Sequence, residues 1–217
     1  MLALSDDFSA VLHVIGLDGI RHPIFYHAPA GIRFEIGGTE DVYSAGKRHK
    51  NLRPNPAYLS SATRKAQTIY AHLPAPPDIL RIDGYPDERT GDRDIVATVC
   101  SVTGMPQPHE QILNNFLWSE EDEGVSQLQL YWNIKKSAFS PHRILREVVR
   151  ADIGGYSGLV SSVYFADTSN AVLFHLYDDR GADVVAANKE TIRPLFEQYN
   201  QWILDYDRDS INRLFAT

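Results

Sequence analysis

Apolar residues recur at helical spacing at the start of the chain. Leu4, Phe8, Val11, Leu12 and Ile15 form one stripe before the glycines at 16 and 19, which predicts a packing helix over residues 3–15 with Ser5 or Asp6 as its cap. The period then shortens. Residues 24–26 and 32–36 alternate as half-buried strands across a hairpin-like loop at 27–31, with Ile32, Phe34 and Ile36 on one face. Arg33 and Glu35 share the other face, close enough to pair with each other or with a ligand. A second helix is predicted over 56–73, where Ala62, Ala66, Ile69, Tyr70 and Leu73 share a stripe, Ser60 or Ser61 lies near the start and the prolines at 74, 76 and 77 end it. Strands are predicted at 79–82, 95–102 and 125–134, the last with Leu128, Leu130 and Trp132 on one side. Residues 37–56 and 103–124 read as surface loops or insertions.

The C-terminal third is more regular. Ser140 caps and Pro141 opens a helix carrying Ile144, Leu145, Val148 and Val149 to about residue 152, ended by Gly154 and Gly155. Strands at 160–166, 171–177 and 183–187 predict a three-stranded antiparallel meander. Its second turn has two candidate registers. A two-residue turn at 180–181 sets Asp178 opposite Asp183, which repel unless a cation or proton lies between them. A three-residue loop at 179–181 with Gly181 left-handed sets Tyr177 opposite Asp183, matches the apolar faces and is preferred. His175 then projects to the Tyr177 side as a hydrogen-bonded residue. Asn188 caps a helix with Ile192, Leu195, Phe196, Tyr199, Trp202 and Ile203 on its core face, and Pro194 demands a place in its first turn. Asp209 caps a last helix, with Arg208 paired to a nearby carboxylate.

These elements make an α+β fold: one domain, mainly antiparallel sheet, packed by several helices. Length and a hydrophobic content of 43% over 217 residues are compatible with that. The formal charge of −7, from 28 acidic and 21 basic residues, disfavours nucleic acid and anionic membrane and favours basic partners. The basic run at 47–50 lacks aromatic interleaving and reads as a solvated loop. One cysteine, Cys100, excludes an internal disulfide and fits a reducing compartment. No basic leader or long uncharged apolar stretch is present, so a cytoplasmic location is expected.

Several runs carry a family resemblance: Phe25-Tyr26, residues 31–37, Tyr164-Phe165, residues 174–181 with Asp183-Val184-Val185, Lys189-Glu190-Thr191, Arg193-Pro194-Leu195, Tyr199-Asn200 and residues 202–208. In these the chain resembles the bacterial family called domain of unknown function 3885. The likeness spans most of the chain, densest after Ile144 and around 24–37, and departs over roughly 83–135. It implies a small cytoplasmic bacterial protein and assigns no catalytic residues.

Two functional readings follow. The first is a non-catalytic binding protein, such as an immunity protein neutralising a basic toxin domain. It is motivated by acidic balance, size and the lack of a complete catalytic motif, with Glu120, Glu121, Asp122 and Glu123 as a candidate patch. The second is a metal-assisted hydrolase using Asp178, Asp179, Asp183 and His175 as hard ligands, with Arg33 and Arg180 holding an anionic group. No H-E-x-x-H, G-x-S-x-G, phosphate-loop or dinucleotide fingerprint supports an enzyme, and Cys100, in an expected buried strand, is a poor nucleophile. The alternate aspartates 205, 207 and 209 lack the glycine and glutamate of a calcium loop. No cofactor or metal is expected.

Overall fold

A computed structural model of the chain describes residues 3–45, 52–86, 91–116, 125–137, 139–151, 153, 159 and 161–216. The first helix, α1 (Leu4–Ile15), buries Phe8, Val11, Leu12 and Ile15 and ends where Gly16 turns left-handed at φ 91°. Its cap position is Ala3, without a side-chain bond, so neither Ser5 nor Asp6 caps it. Strand β1 (Ala30–Glu35) follows. Residues Ile24–Tyr26 form a 3₁₀ turn instead of a strand, so the expected hairpin is absent.

Residues 37–56 hold a two-stranded ribbon, β2 (Tyr43–Ala45) with β3 (Leu52–Pro54), where a loop was expected. Helix α2 (Pro56–Ala71) starts at Asn55, whose side chain accepts the Ala57 N–H. The asparagine with proline at the first position outranks Ser60 and Ser61 as the start signal. Strand β4 (Ile79–Gly84) is followed by α3 (Asp92–Thr103), which corrects the strand expected at 95–102. Half of its residues are β-branched, but Asp92 and Asp94 stand in the first turn and Ile95, Val96, Val99 and Thr103 bury one helical face. Cys100 is therefore half-buried on a helix, its Sγ donating to the Pro106 carbonyl at 3.4 Å, and burial pushes its thiol up. Strand β5 (Glu110–Phe116) occupies part of the other expected loop, and β6 (Val125–Asn133) pairs with it.

Next come α4 (Pro141–Ala151) and the meander β7 (Ser162–Asp167), β8 (Val172–Leu176), β9 (Gly181–Ala186). Helix α5 (Lys189–Gln198) is capped by Asn188 as expected. It carries Pro194 in its second turn, beyond the position expected for it, and it stops before Trp202 and Ile203. Tyr199 and Trp202 instead stack at 4.9 Å around a 3₁₀ turn. A further 3₁₀ turn at Asp205–Asp207 leads into α6 (Arg208–Ala216). Asp209 lies in its first turn, and Arg208 does pair with Asp205, at 2.8 Å.

The seven main strands form one antiparallel sheet in the order β1-β9-β8-β7-β4-β6-β5. One face, with Ile32, Phe34, Leu80, Trp132, Phe165 and Phe174, packs against α2 to α6. The other packs α1 against Tyr131, Tyr164, Leu173 and Val185. No described helix is long and apolar enough to cross a membrane.

The β8–β9 register matches neither expected turn. His175 faces Asp183, Phe174 faces Val184 and Leu176 faces Ala182, so Asp178 does not oppose Asp183. The loop is three residues, 178–180, shifted one position from the preferred alternative. That register differs from the expected one by two residues, so every side chain keeps its face and periodicity cannot separate the two. Asp178 decides it: its carboxylate accepts the Arg180 N–H at 2.7 Å and the Gly181 N–H at 3.1 Å, and it binds the Arg180 guanidinium. Gly181 is not left-handed. It is required because a Cβ there would overlap the Tyr177 ring and hydroxyl.

Candidate functional site

On the α1 side, register places one side chain from every strand in a single row: Arg33, Asp183, His175, Tyr164, Arg81, Tyr131 and Glu110. The row beside it, Gly31, Val185, Leu173, Ala166 and Ile79, is apolar as far as Asn133 on β6 and backs α1. A protein that needed this sheet only as scaffold would be expected to continue the apolar pattern, because buried charge costs free energy unless it is paired.

At the centre of the row Arg81 and Asp83, two residues apart on one face of β4, form a bidentate ion pair at 2.6 and 2.8 Å. The guanidinium also lies 5.2 to 5.8 Å from the centroids of Phe8, Tyr131 and Tyr164, within cation–π range. Burial pushes the Asp83 carboxyl up and the guanidinium opposes it, while the carboxylate holds Arg81 protonated despite its burial. The two short charge-assisted bonds identify the ion pair as the resident state.

At the β1 end, Arg33 lies between the rings of Tyr26 and Tyr177, 5.2 and 5.5 Å from their centroids. Its Nε is 3.3 Å from Asp183 Oδ1 and donates to the Tyr177 hydroxyl at 3.3 Å, and Nη1 is 3.8 Å from Asp207 Oδ2. Asp207 accepts the Tyr26 hydroxyl proton at 2.9 Å, and Asp183 accepts the Phe25 N–H at 3.4 Å. Arg33 thus pairs with residues far along the chain, not with exposed Glu35, whose backbone carbonyl is within reach of Lys65. Among the described residues, the buried side-chain atoms lacking a hydrogen bond are both nitrogens of His175, Asp183 Oδ1 and Asp207 Oδ2. All four belong to this row and its Asp207 neighbour. The expectation of a hydrogen-bonded His175 is therefore corrected: it is buried and stacks on Tyr164 at 4.5 Å, 4.9 Å from His22.

Two opposed titrations follow. Burial, with His22 and Arg33 nearby, holds His175 well below its ordinary value, so the folded state resists its protonation. Its contribution is present above the unfolded value near 6.5 and is lost as pH falls below it. Burial raises Asp183 to about 7 against the pull of Arg33. A raised carboxyl costs stability progressively as pH climbs from its unfolded value near 4 to about 7. Just below about pH 6.5 the folded state holds the proton on Asp183 and the unfolded chain holds one on histidine, so the two slopes oppose each other. Denaturation of His175→Leu across that window should show stability falling with pH by up to about 1.4 kcal/mol per unit, relative to the parent. Asp183→Asn should show the reverse slope, and parallel curves for all three proteins would contradict the assignment.

The remaining sequence candidates do not converge. Asp178 closes its own turn with Arg180, and Asp179 accepts from Tyr58 at 2.5 Å, on the other side of the sheet from His175 and Asp183. No group of three or more potential metal ligands exists among the described residues. Residues 120–123 lie outside the described residues. Sequence reading missed Tyr26, Arg81, Asp83, Tyr164, Tyr177 and Asp207. The detectable signal was Arg81-Ile82-Asp83: opposite charges at i and i+2 inside an apolar strand share a face.

A family model described as domain of unknown function (DUF3885) matches residues 14–207. The chain is 42% identical over 53 residues to the "Uncharacterized protein YnaE" of Bacillus subtilis (strain 168), which covers 24% of the chain and 25% of that protein. No solved structure matches. The Arg33 cluster draws on Tyr26, Arg33, Tyr177, Asp183 and Asp207, each inside a run that carries the family resemblance.

Proposed function

The chain belongs to the DUF3885 family, and we propose that it is a non-catalytic cytoplasmic binding protein, of the kind that neutralises a basic toxin domain. The observation that carries this reading is the surface above the Arg33 cluster. Tyr26 is 51% and Tyr206 86% exposed, and Tyr206 adjoins Asp207, which holds the Tyr26 hydroxyl. Glu35, Asp205 and Asp209 are exposed along the same segments. Tyrosines dominate the energetics of protein interfaces, and surrounding carboxylates steer basic partners. The acid–base groups beneath them are inaccessible, with Asp183 at 0% exposure, which suits a rigid support better than a reacting group.

Co-expression with the product of an adjacent toxin gene tests the proposal. A stable complex and protection of the host are expected. Tyr206→Ala should weaken the complex by about tenfold or more while leaving the melting temperature unchanged, because the side chain is solvent-exposed. No complex and no protection would end the proposal.

A further inference from the structure

Beyond the Tyr26 surface, the polar row opens beside Arg81 and Tyr131 into a cleft of about 850 Å³ between α1 and strands β4, β6 and β5. That volume lies in the range of small-molecule sites, about 300–1,000 Å³. Its floor is an ordered ladder of side chains. Tyr131 donates to Gln129 at 2.8 Å, Gln129 donates to Gln127 at 2.8 Å, and Gln127 donates to Asp83 at 3.2 Å and Tyr85 at 3.3 Å. Asp83 is only 1% exposed and fixed by Arg81, so the ladder is anchored in the protein's interior. Each primary amide has two N–H groups and an oxygen with two lone pairs, so donors and acceptors remain for a ligand. Ser9 and Asn114 line the same cleft, and their side chains make no hydrogen bond among the described residues.

We propose that this cleft binds an uncharged polyhydroxylated ring, the chemistry of a sugar. An anion is disfavoured because the charge of Arg81 is already matched by Asp83, while Asp6 and Asp18 line the cleft. A purely apolar ligand would strand the amide groups. A hydroxylated ring answers both sides: its hydroxyls donate to and accept from the amides, and its C–H face lies on the half-buried Ile20 and Ile112. Such a ring can come from a free saccharide or from a nucleoside.

Saturation-transfer NMR on the full chain, with neutral mono- and disaccharides, ribonucleosides and free nucleobases as probes, distinguishes the two sources. A saccharide or a ribonucleoside is expected to bind at about 10 mM or below, with saturation on its ring protons. Asn114→Ala, at the cleft wall, and Gln129→Leu should each weaken it about tenfold. Tyr206→Ala should leave it intact, so failure of the toxin-binding proposal and failure of this one are separable. Signal from saccharides alone assigns the saccharide source, and signal from ribonucleosides with silent bases assigns the nucleoside source. No signal from either class, binding of free bases as tight as that of their ribonucleosides, or full affinity in both cleft variants would overturn the proposal.

Discussion

Asp83→Ala is expected to destabilise the protein by about 3–5 kcal/mol, because it leaves a buried guanidinium without its carboxylate. Arg81 sits on a central strand, loses both short bonds at once, and cannot discard its charge at any accessible pH. The rings of Phe8, Tyr131 and Tyr164 offset only part of this, at roughly 0.5–2 kcal/mol for a cation–π contact. The loss should therefore vary little between pH 6 and 9. Urea denaturation of Asp83→Ala and of the double variant Arg81→Met/Asp83→Ala makes the test, since removing both charges should cost less than removing one. A single-variant loss below about 1 kcal/mol would mean that the pair is not the anchor inferred for it.

Arg33→Met should behave differently, although it also breaks a buried ion pair. The group left behind is Asp183, a carboxyl that can take up a proton. With Arg33 present its pKa is already raised to about 7, and the guanidinium is the main influence holding it down. Removing Arg33 raises it further, so the variant comes closest to the parent near pH 5, where Asp183 is protonated in both and only the Tyr177, Asp207 and aromatic contacts of Arg33 are lost. A raised carboxyl loses stability as pH rises, and here the decline continues above pH 7 where the parent levels off. The deficit from this titration is expected to reach about 1.4 kcal/mol at pH 8 and about 2.7 kcal/mol at pH 9. Equal deficits at pH 5 and pH 9 would contradict this account, as would rescue at high pH.

The contrast between the two arginines shows how much was legible beforehand. Arg33 and Asp183 were each recognisable as polar residues in apolar strands, but their pairing was not, since 150 positions separate them and β1 was expected to pair with a neighbouring strand. Arg81 and Asp83 share a strand, and their i, i+2 spacing carries the pairing locally. The run at 92–103 failed for a different reason. Its β-branched residues satisfy strand propensity, and its apolar positions satisfy helical spacing as well, so the acidic first turn was the discriminating signal. Strand β5 escaped notice because an edge strand rich in Gln and Asn has weak alternation.

By itself the sequence determined the alternation of helix and strand in the C-terminal third, the apolar faces of the meander, the Asn188 cap and the acidic balance. These depend on residues within a few positions of one another, where period and capping chemistry act. Only the tertiary structure decided which strands lie side by side outside the meander, and so decided that seven polar or aromatic residues from across the chain form one row. Shifting a register by two residues leaves every side chain on its face, and changing a strand's neighbour leaves its periodicity untouched. Both choices are settled by long-range burial and by the polar groups that must find partners there, such as Asp178 closing its own turn and Asp183 facing Arg33.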